Sequence, residues 1–287
     1  MTKSRYFLRS ILRFNTAKLC PYCGSGISKV IDRKYIFTTL NECSQCSLFF
    51  RHPLDTIEFN YKFYQEEYEQ NDGITTDLPS DVELQNLMSK NFFGSGKDVS
   101  GIIKILKSLL ARPTVKVIDY GANWGYTSYQ FRNAGFDVQS YEISLPRAKF
   151  GKKLGLEIIT DENSLIGNVD IFFNSHVIEH LPDIKHIFLL AQKLLTNDGY
   201  FISFCPNGSL DFKKKHPENF HTFWGQVHPN YLNSYFFCKA FKNVPYLIGS
   251  DCSKQEDIEG WDKNCQKILD VSGIELFVFA KIKNQHF

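Results

Sequence analysis

The sequence has little that would place it inside a membrane or along a polyanion. No window approaches 18 consecutive apolar residues, so a spanning helix is not expected. The opening residues, MTKSRYFLRSILRF, lack the uninterrupted apolar core and small-residue cleavage site of a secretory signal. They read either as a packed or solvated helix or as a membrane-surface helix. The net charge is only +2 across 287 residues, which argues against an extended nucleic-acid surface, although Lys213 to Lys215 form a local basic patch. A soluble, cytoplasmic protein is the expectation. Missing too is GxGxxG, the dinucleotide fingerprint that brings pyrophosphate to a helix N-terminus.

What is present starts with size: 43% apolar content over this length predicts one large core and something smaller. Of eight cysteines, Cys20, Cys23, Cys43 and Cys46 form CPYC and CSQC separated by 19 residues, the spacing of a four-thiolate zinc site. Gly24 suits the knuckle turn, and alternating residues between the knuckles predict the strands of a zinc ribbon. So short a unit buries too little alone, so the metal is expected to supply folding energy from a closed, structural site. Cys205, Cys238, Cys252 and Cys265 have no ligand spacing and read as free thiols.

The second stretch is VKVIDYGANWGYTSYQFRNAGFDVQSYE, residues 115 to 142. Val115, Val117 and Ile118 predict a buried parallel strand, followed by DxGxxxG at Asp119, Gly121 and Gly125. Tyr126 to Asn133 predicts a helix and Phe136 to Tyr141 a second strand. That strand ends at Glu142, where a carboxylate can bind both hydroxyls of a ribose. The glycine loop alone fits NAD or FAD nearly as well as a nucleoside, but the acid at Asp119 repels phosphate and attracts an ammonium.

Taken with VDIFFNSHVIEHLPD (169 to 183) and LLTNDGYFISFCPN (194 to 207), this loop resembles motif I of the class I S-adenosylmethionine (SAM) methyltransferases. The resemblance runs through residues 115 to 283. It implies an α/β fold with a Rossmann-like, mostly parallel sheet of seven strands including an antiparallel end strand, plus the small zinc ribbon. The corresponding segments are 16–50 for the ribbon, 51–110 for a helical connector or lid, and 111–287 for the SAM domain. It also implies SAM contacts from Asp119, Gly121, Ala122, Asn123, Gly125, Tyr126, Glu142, Ile143, Asp161 or Glu162, Asn174 and Ser175. In the connector, Tyr61, Phe63, Tyr64 and Tyr68 either line the pocket or pack the ribbon to the core.

SHVIEH places His176, Glu179 and His180 at i, i+3 and i+4, so one helical turn could aim all three at a pocket. Histidine is the natural base for an acceptor hydroxyl. His180 or His228 is therefore the candidate base, with Glu179 positioning it. In a subset resembling the small-RNA 2′-O-methyltransferases, an ExxEH motif holds a divalent cation. Here that set would be His176, Glu179, His180 and His228, favouring zinc, manganese or iron. The aromatic segment 208–241 offers His221, Trp224, Tyr231 and Tyr235 as acceptor-pocket candidates. An NPPY-like tetrapeptide, which cradles a flipped base, is absent after the fourth strand. Zinc ribbon plus SAM domain is similar to bacterial sugar and glycan methyltransferases. The resulting expectation is O-methylation of a small sugar, nucleotide sugar or glycan. The rivals are an RNA 2′-O-methyltransferase, a sugar C-methyltransferase and a non-catalytic adaptor.

Overall fold

The protein is described from a computed structural model covering residues 3–67 and 77–287, with side chains from residue 7 to 65 and beyond 76. Tyr68 lies outside the described residues. Twelve strands follow in chain order: β1 Ser28–Lys34, β2 Thr38–Cys43, β3 Phe49–His52, β4 Lys116–Tyr120, β5 Asp137–Tyr141, β6 Ile158–Ile159, β7 Val169–Ser175, β8 Leu195–Pro206, β9 Asn230–Tyr231, β10 Tyr246–Ser250, β11 Gln266–Ile268 and β12 Glu275–Ala280. The main sheet has the order β11-β10-β12-β8-β7-β4-β5-β6. Its pairs β4/β5, β4/β7, β5/β6 and β10/β11 are parallel, whereas β12 runs antiparallel to both β8 and β10. The α/β class and the mostly parallel sheet expected from sequence are therefore present. There is an eighth strand, β11, and the antiparallel strand is interior: β10 and β11 lie beyond it.

The chain divides into two compact units that interleave along the sequence, Met1–Asn60, Ser175–Lys193 and Tyr200–Phe287 in one, Tyr61–Asn174 and Leu194–Gly199 in the other. In the second unit the apolar run of β4 is buried, as a parallel strand covered on both faces requires. The helix after its glycine loop spans Tyr126–Asn133. The helix Ser100–Leu109 buries Leu106 and Leu109 of its apolar face. The apolar stretch LEIIT (156–160) gives only the two residues of β6.

In the first unit the ribbon strands β1, β2 and β3 continue into β9, giving a four-stranded antiparallel sheet. Leu40 and Phe49 of the ribbon share a core with Phe212, Phe220, Trp224 and Tyr231 of the long segment after β8. Buried Arg51 fastens the same junction, donating to the carbonyls of Gly225 (3.0 Å) and Gln226 (3.1 Å) and to the Asp55 carboxylate (2.6 Å). The helix Ile184–Leu194 follows Asp183, whose carboxylate accepts from the His186 amide (3.1 Å) as an N-cap does.

Candidate active site and metal centre

The loop after β4 is shaped by three left-handed residues, Gly121, Asn123 and Gly125. The amides of Gly121 and Ala122 both donate to the Tyr141 carbonyl (2.8 Å), tying the turn to the end of β5. Gly125 is required twice over: its φ is +91°, and a Cβ there would lie 2.5 Å from Leu156 Cδ1. The close approach at this glycine is to the packing beneath the loop.

Glu142 closes the loop from the other side. Its two oxygens accept from the amides of Asn123 and Ser144, each at 2.8 Å. Each oxygen keeps a further lone pair, so the carboxylate still has capacity for hydroxyl donors. Burial raises its pKa above the usual carboxylate range. The Asn123 side-chain oxygen accepts in turn from Arg147 (2.6 Å) and the Trp124 amide (2.9 Å). Asp119 faces inward: it is buried, accepts from Ser128 Oγ (2.6 Å), and burial pushes its pKa up to about 7. An outward carboxylate aimed at an ammonium, as read from sequence, is not what its side chain provides.

Of the acidic pair beyond β6, Asp161 caps the short turn through the Asn163 amide (3.0 Å), and Glu162 accepts from Tyr120 Oη (2.6 Å). Tyr120 stacks on Tyr141 at 4.7 Å, so this edge presents aromatic surface beside a carboxylate. Tyr126 and Ile143 are half-buried and Asn174 is fully buried, whereas Ser175 belongs to the other unit. One contributor had no sequence signal. Gln65 donates to the Ile143 carbonyl (2.6 Å) and accepts from the Leu145 amide (3.3 Å), fixing the chain just past Glu142.

In the first unit, the residues after β7 form a second cluster. Ile178–His180 is a 3-10 turn, and His176 precedes it in the left-handed region at φ 55°. The His180 carbonyl accepts from Asn60 (3.0 Å) and the Leu181 carbonyl from Asn230 (2.6 Å), which fixes the turn at both ends. Neither asparagine was foreseen, since a single amide side chain leaves no pattern. Glu179 is 1% exposed, and neither of its oxygens has a hydrogen-bond partner. The nearest imidazole nitrogens are His176 Nδ1 at 3.5 Å and His180 Nε2 at 3.7 Å.

Both further histidines have their tautomers set by the backbone. His180 Nδ1 donates to the Val227 carbonyl (2.6 Å) and His228 Nδ1 donates to the Phe223 carbonyl (2.6 Å). Each neutral ring therefore carries its lone pair on Nε2. The rings lie 4.7 Å apart, and one ligand atom from each of Glu179, His180 and His228 falls within 4.8 Å of the others. Burial drives His180 down to about 4, against the pull of Glu179, so it is neutral at physiological pH. His176 behaves oppositely: its ring is half exposed, and Glu179 and Glu275, the latter at 2.7 Å, hold it up to about 10. The ring that completes the four-residue set read from sequence is thus an imidazolium held by two carboxylates.

The pocket candidates from the aromatic segment separate in the structure. Trp224 and Tyr231 are buried in the ribbon core, Trp224 Nε1 and His221 Nδ1 both bond Asp32 Oδ2 (2.8 Å), and Tyr235 is exposed. The role of Trp224 and His221 here is to hold the long segment to β1.

The four ribbon cysteines come together, with Cys20 Sγ 3.5 Å from Cys46 Sγ and Cys23 Sγ 3.4 Å from Cys43 Sγ. Four thiolates around zinc at its usual bond length stand about 3.8 Å apart, so the group fits a zinc site. The knuckles match: the Gly24 amide donates to the Cys20 carbonyl and the Ser47 amide to the Cys43 carbonyl, both at 2.9 Å, and Gly24 and Ser47 are both left-handed. No helix among the described residues is long and apolar enough to cross a membrane.

No protein-family model matches the chain, and no curated protein matches it. Solved structures do. A TehB-like SAM-dependent methyltransferase from Corynebacterium glutamicum is 14% identical, with 69% of this chain and 94% of its own covered and a TM-score of 0.43. TehB from Haemophilus influenzae is 16% identical over 68% of this chain and 65% of its own, just under two thirds, with a TM-score of 0.45. Geranyl diphosphate C-methyltransferase from Streptomyces coelicolor is 12% identical over 78% and 96%, with a TM-score of 0.46. At this level of likeness an activity has to come from the residues of this chain.

Proposed function

We propose that the protein is a SAM-dependent methyltransferase that methylates a hydroxyl of a sugar, nucleotide sugar or glycan. The observation that carries the reading is the Glu142 loop. A carboxylate with spare lone pairs stands at the carboxyl ends of parallel strands β4 and β5, where open α/β sheets bind ligands. Residues 121–126, Glu142, Ile143 and one of Asp161 and Glu162 would hold the adenosyl group. The three segments 16–50, 51–110 and 111–287 remain the proposed ribbon, connector and SAM domain. Eight cysteines without a disulfide suit a reducing, cytoplasmic setting.

SAM supplies a methyl group on a sulfonium. The transfer is an in-line displacement, so the protein's task is mainly orientation. An acceptor hydroxyl at the Glu179 cluster would give its proton to Nε2 of His228 or His180, both presented as acceptors by the backbone carbonyls behind them. Glu179 stabilises the imidazolium that results, and His176 stays charged between Glu179 and Glu275.

A second reading has one specific observation in its favour. Two imidazoles whose Nδ1–H groups are bonded to carbonyls, beside a buried carboxylate lacking donors, also suit a divalent cation. That set is Glu179, His180 and His228, without His176. Titration calorimetry with SAM, followed by mass analysis of nucleotide sugars and glycans for one added methyl, tests the main reading. Absence of SAM heat would leave the adaptor role. Activity restored by a metal after chelation selects the second reading, and steep salt dependence of acceptor binding selects an RNA acceptor. Carbon methylation would appear as a methyl stable to ether cleavage. For the ribbon, metal analysis should find one zinc per chain, and a strong chelator should lower the melting temperature; neither result would leave the knuckles without a structural ion.

A further inference from the structure

We propose that the helix Lys3–Leu12 and the tip of the β1–β2 hairpin form a docking face for the surface of an anionic lipid bilayer. Phe7, Leu8, Ile11 and Leu12 share one side of the helix by their spacing, and all four are exposed, Leu12 to 76%. The opposite side is what attaches the helix. Ser10 is buried, Arg9 lies 3.6 Å over the Phe59 ring and pairs with Asp55 (3.0 Å), and Arg13 Nε donates to the Leu54 carbonyl (2.8 Å). The apolar side is therefore held outward. Phe7 meets Phe37 edge-on at 5.0 Å, which brings the helix beside the hairpin tip. There Tyr35 and Ile36 are exposed as well, Ile36 to 92%.

Charge selects the occupant. Residues 1–57 hold nine lysines and arginines against three acids, out of 33 and 31 in the chain, leaving 24 against 28 for the rest. The chain's near-neutral total thus conceals a basic first segment on an acidic remainder. The three acids of that segment are all engaged: Asp32 by His221 and Trp224, Glu42 by Lys29, Asp55 by Arg9 and Arg51. Lys3 and Arg5 stand in the first turn of the helix, and exposed Arg33 comes two residues before Tyr35 at the hairpin tip. An apolar face bordered by cations is what binds the headgroup boundary of an anionic leaflet. A second copy would set cations against cations, and a nucleic acid would leave four outward aliphatic side chains in water.

The test uses the full chain with vesicles of phosphatidylcholine, alone and mixed with phosphatidylglycerol. Co-sedimentation is expected only with the mixed vesicles, weakened by salt, and the triple variant Leu8→Ser, Ile11→Ser, Leu12→Ser should lower the affinity about tenfold or more. Because these side chains are exposed, the variant should melt like the parent, and Ile36→Ser alone should show a smaller loss in the same direction. Equal binding to both vesicle types, or no effect of the triple variant, overturns the proposal. So does a dimer in sedimentation velocity that the same substitutions dissolve, or binding of an RNA oligonucleotide in place of vesicles.

Discussion

Glu142 and Glu179 are both buried, 6% and 1% exposed, and each comes shortly after a parallel strand, yet their surroundings are opposite. Glu142 has a backbone amide on each oxygen. Glu179 has no hydrogen bond on either, only imidazoles at 3.5 and 3.7 Å. The cost of an unbonded buried carboxylate is large enough that it persists only where something compensates it. The difference separates two jobs. Glu142 is a strut that makes the loop's shape and offers remaining lone pairs to a ligand. Glu179 is a charge offset by the neighbouring His176 imidazolium, with no hydrogen bond on either oxygen.

The comparison is broken most severely at the strut. Glu142→Ala removes the acceptor of two amides, at about 1–3 kcal/mol each for groups left buried. It should lower the melting temperature clearly and abolish SAM heat, whereas Glu142→Gln should recover part of the stability. A melting temperature unmoved by the alanine would mean the loop does not depend on this carboxylate. At the other centre the effect should fall on rate. His228→Ala is expected to cost about 10²-fold or more in turnover with SAM affinity retained, and unchanged turnover would remove His228 from the mechanism.

The strut and the knuckles were legible because glycine, cysteine spacing and apolar runs are local signals. Gly121, Gly125, Cys20 and Cys43 report backbone shape within a few residues of themselves, and Val117 and Ile118 sit in the buried strand their apolar run predicts. Asp119 was legible as an acid but not as an inward one, because its orientation is decided by Ser128, nine residues on, in a helix that packs under the loop. SHVIEH was read as one helical turn, and the structure gives it another geometry. The helical turn became a 3-10 turn with a left-handed His176 before it, and Glu275, 99 residues away, turned that histidine into a fixed cation. Asn60, Gln65 and Asn230 act through single amide contacts across long separations, which no local spacing encodes.

The inward Asp119 makes a pH prediction. Its pKa is raised from 3.8 to about 7 in the folded protein, so the folded state binds more protons than the unfolded chain over that window. Its contribution to stability is fully present below about 3.8 and is lost as pH rises through about 7. Asp119→Asn keeps an acceptor for Ser128 and removes the ionisation. The melting temperature of the variant, relative to the parent, should therefore climb as pH is raised across the window in ligand-free protein. A constant offset between the two would show that Asp119 is ionised throughout.

The smallest effect sharpens the assignment of the aromatic segment. His221 and Trp224 were candidates for an acceptor pocket, yet both donate to the same oxygen of Asp32 on β1. The imidazole is half exposed, so its ion pair is screened by solvent and worth no more than about 1 kcal/mol. If its role is to fasten the segment, His221→Ala should shift the melting temperature slightly and leave the acceptor KM alone, because Trp224 still holds Asp32. A large rise in KM at unchanged stability would instead return His221 to the acceptor site, and with it the view that this segment reads the substrate.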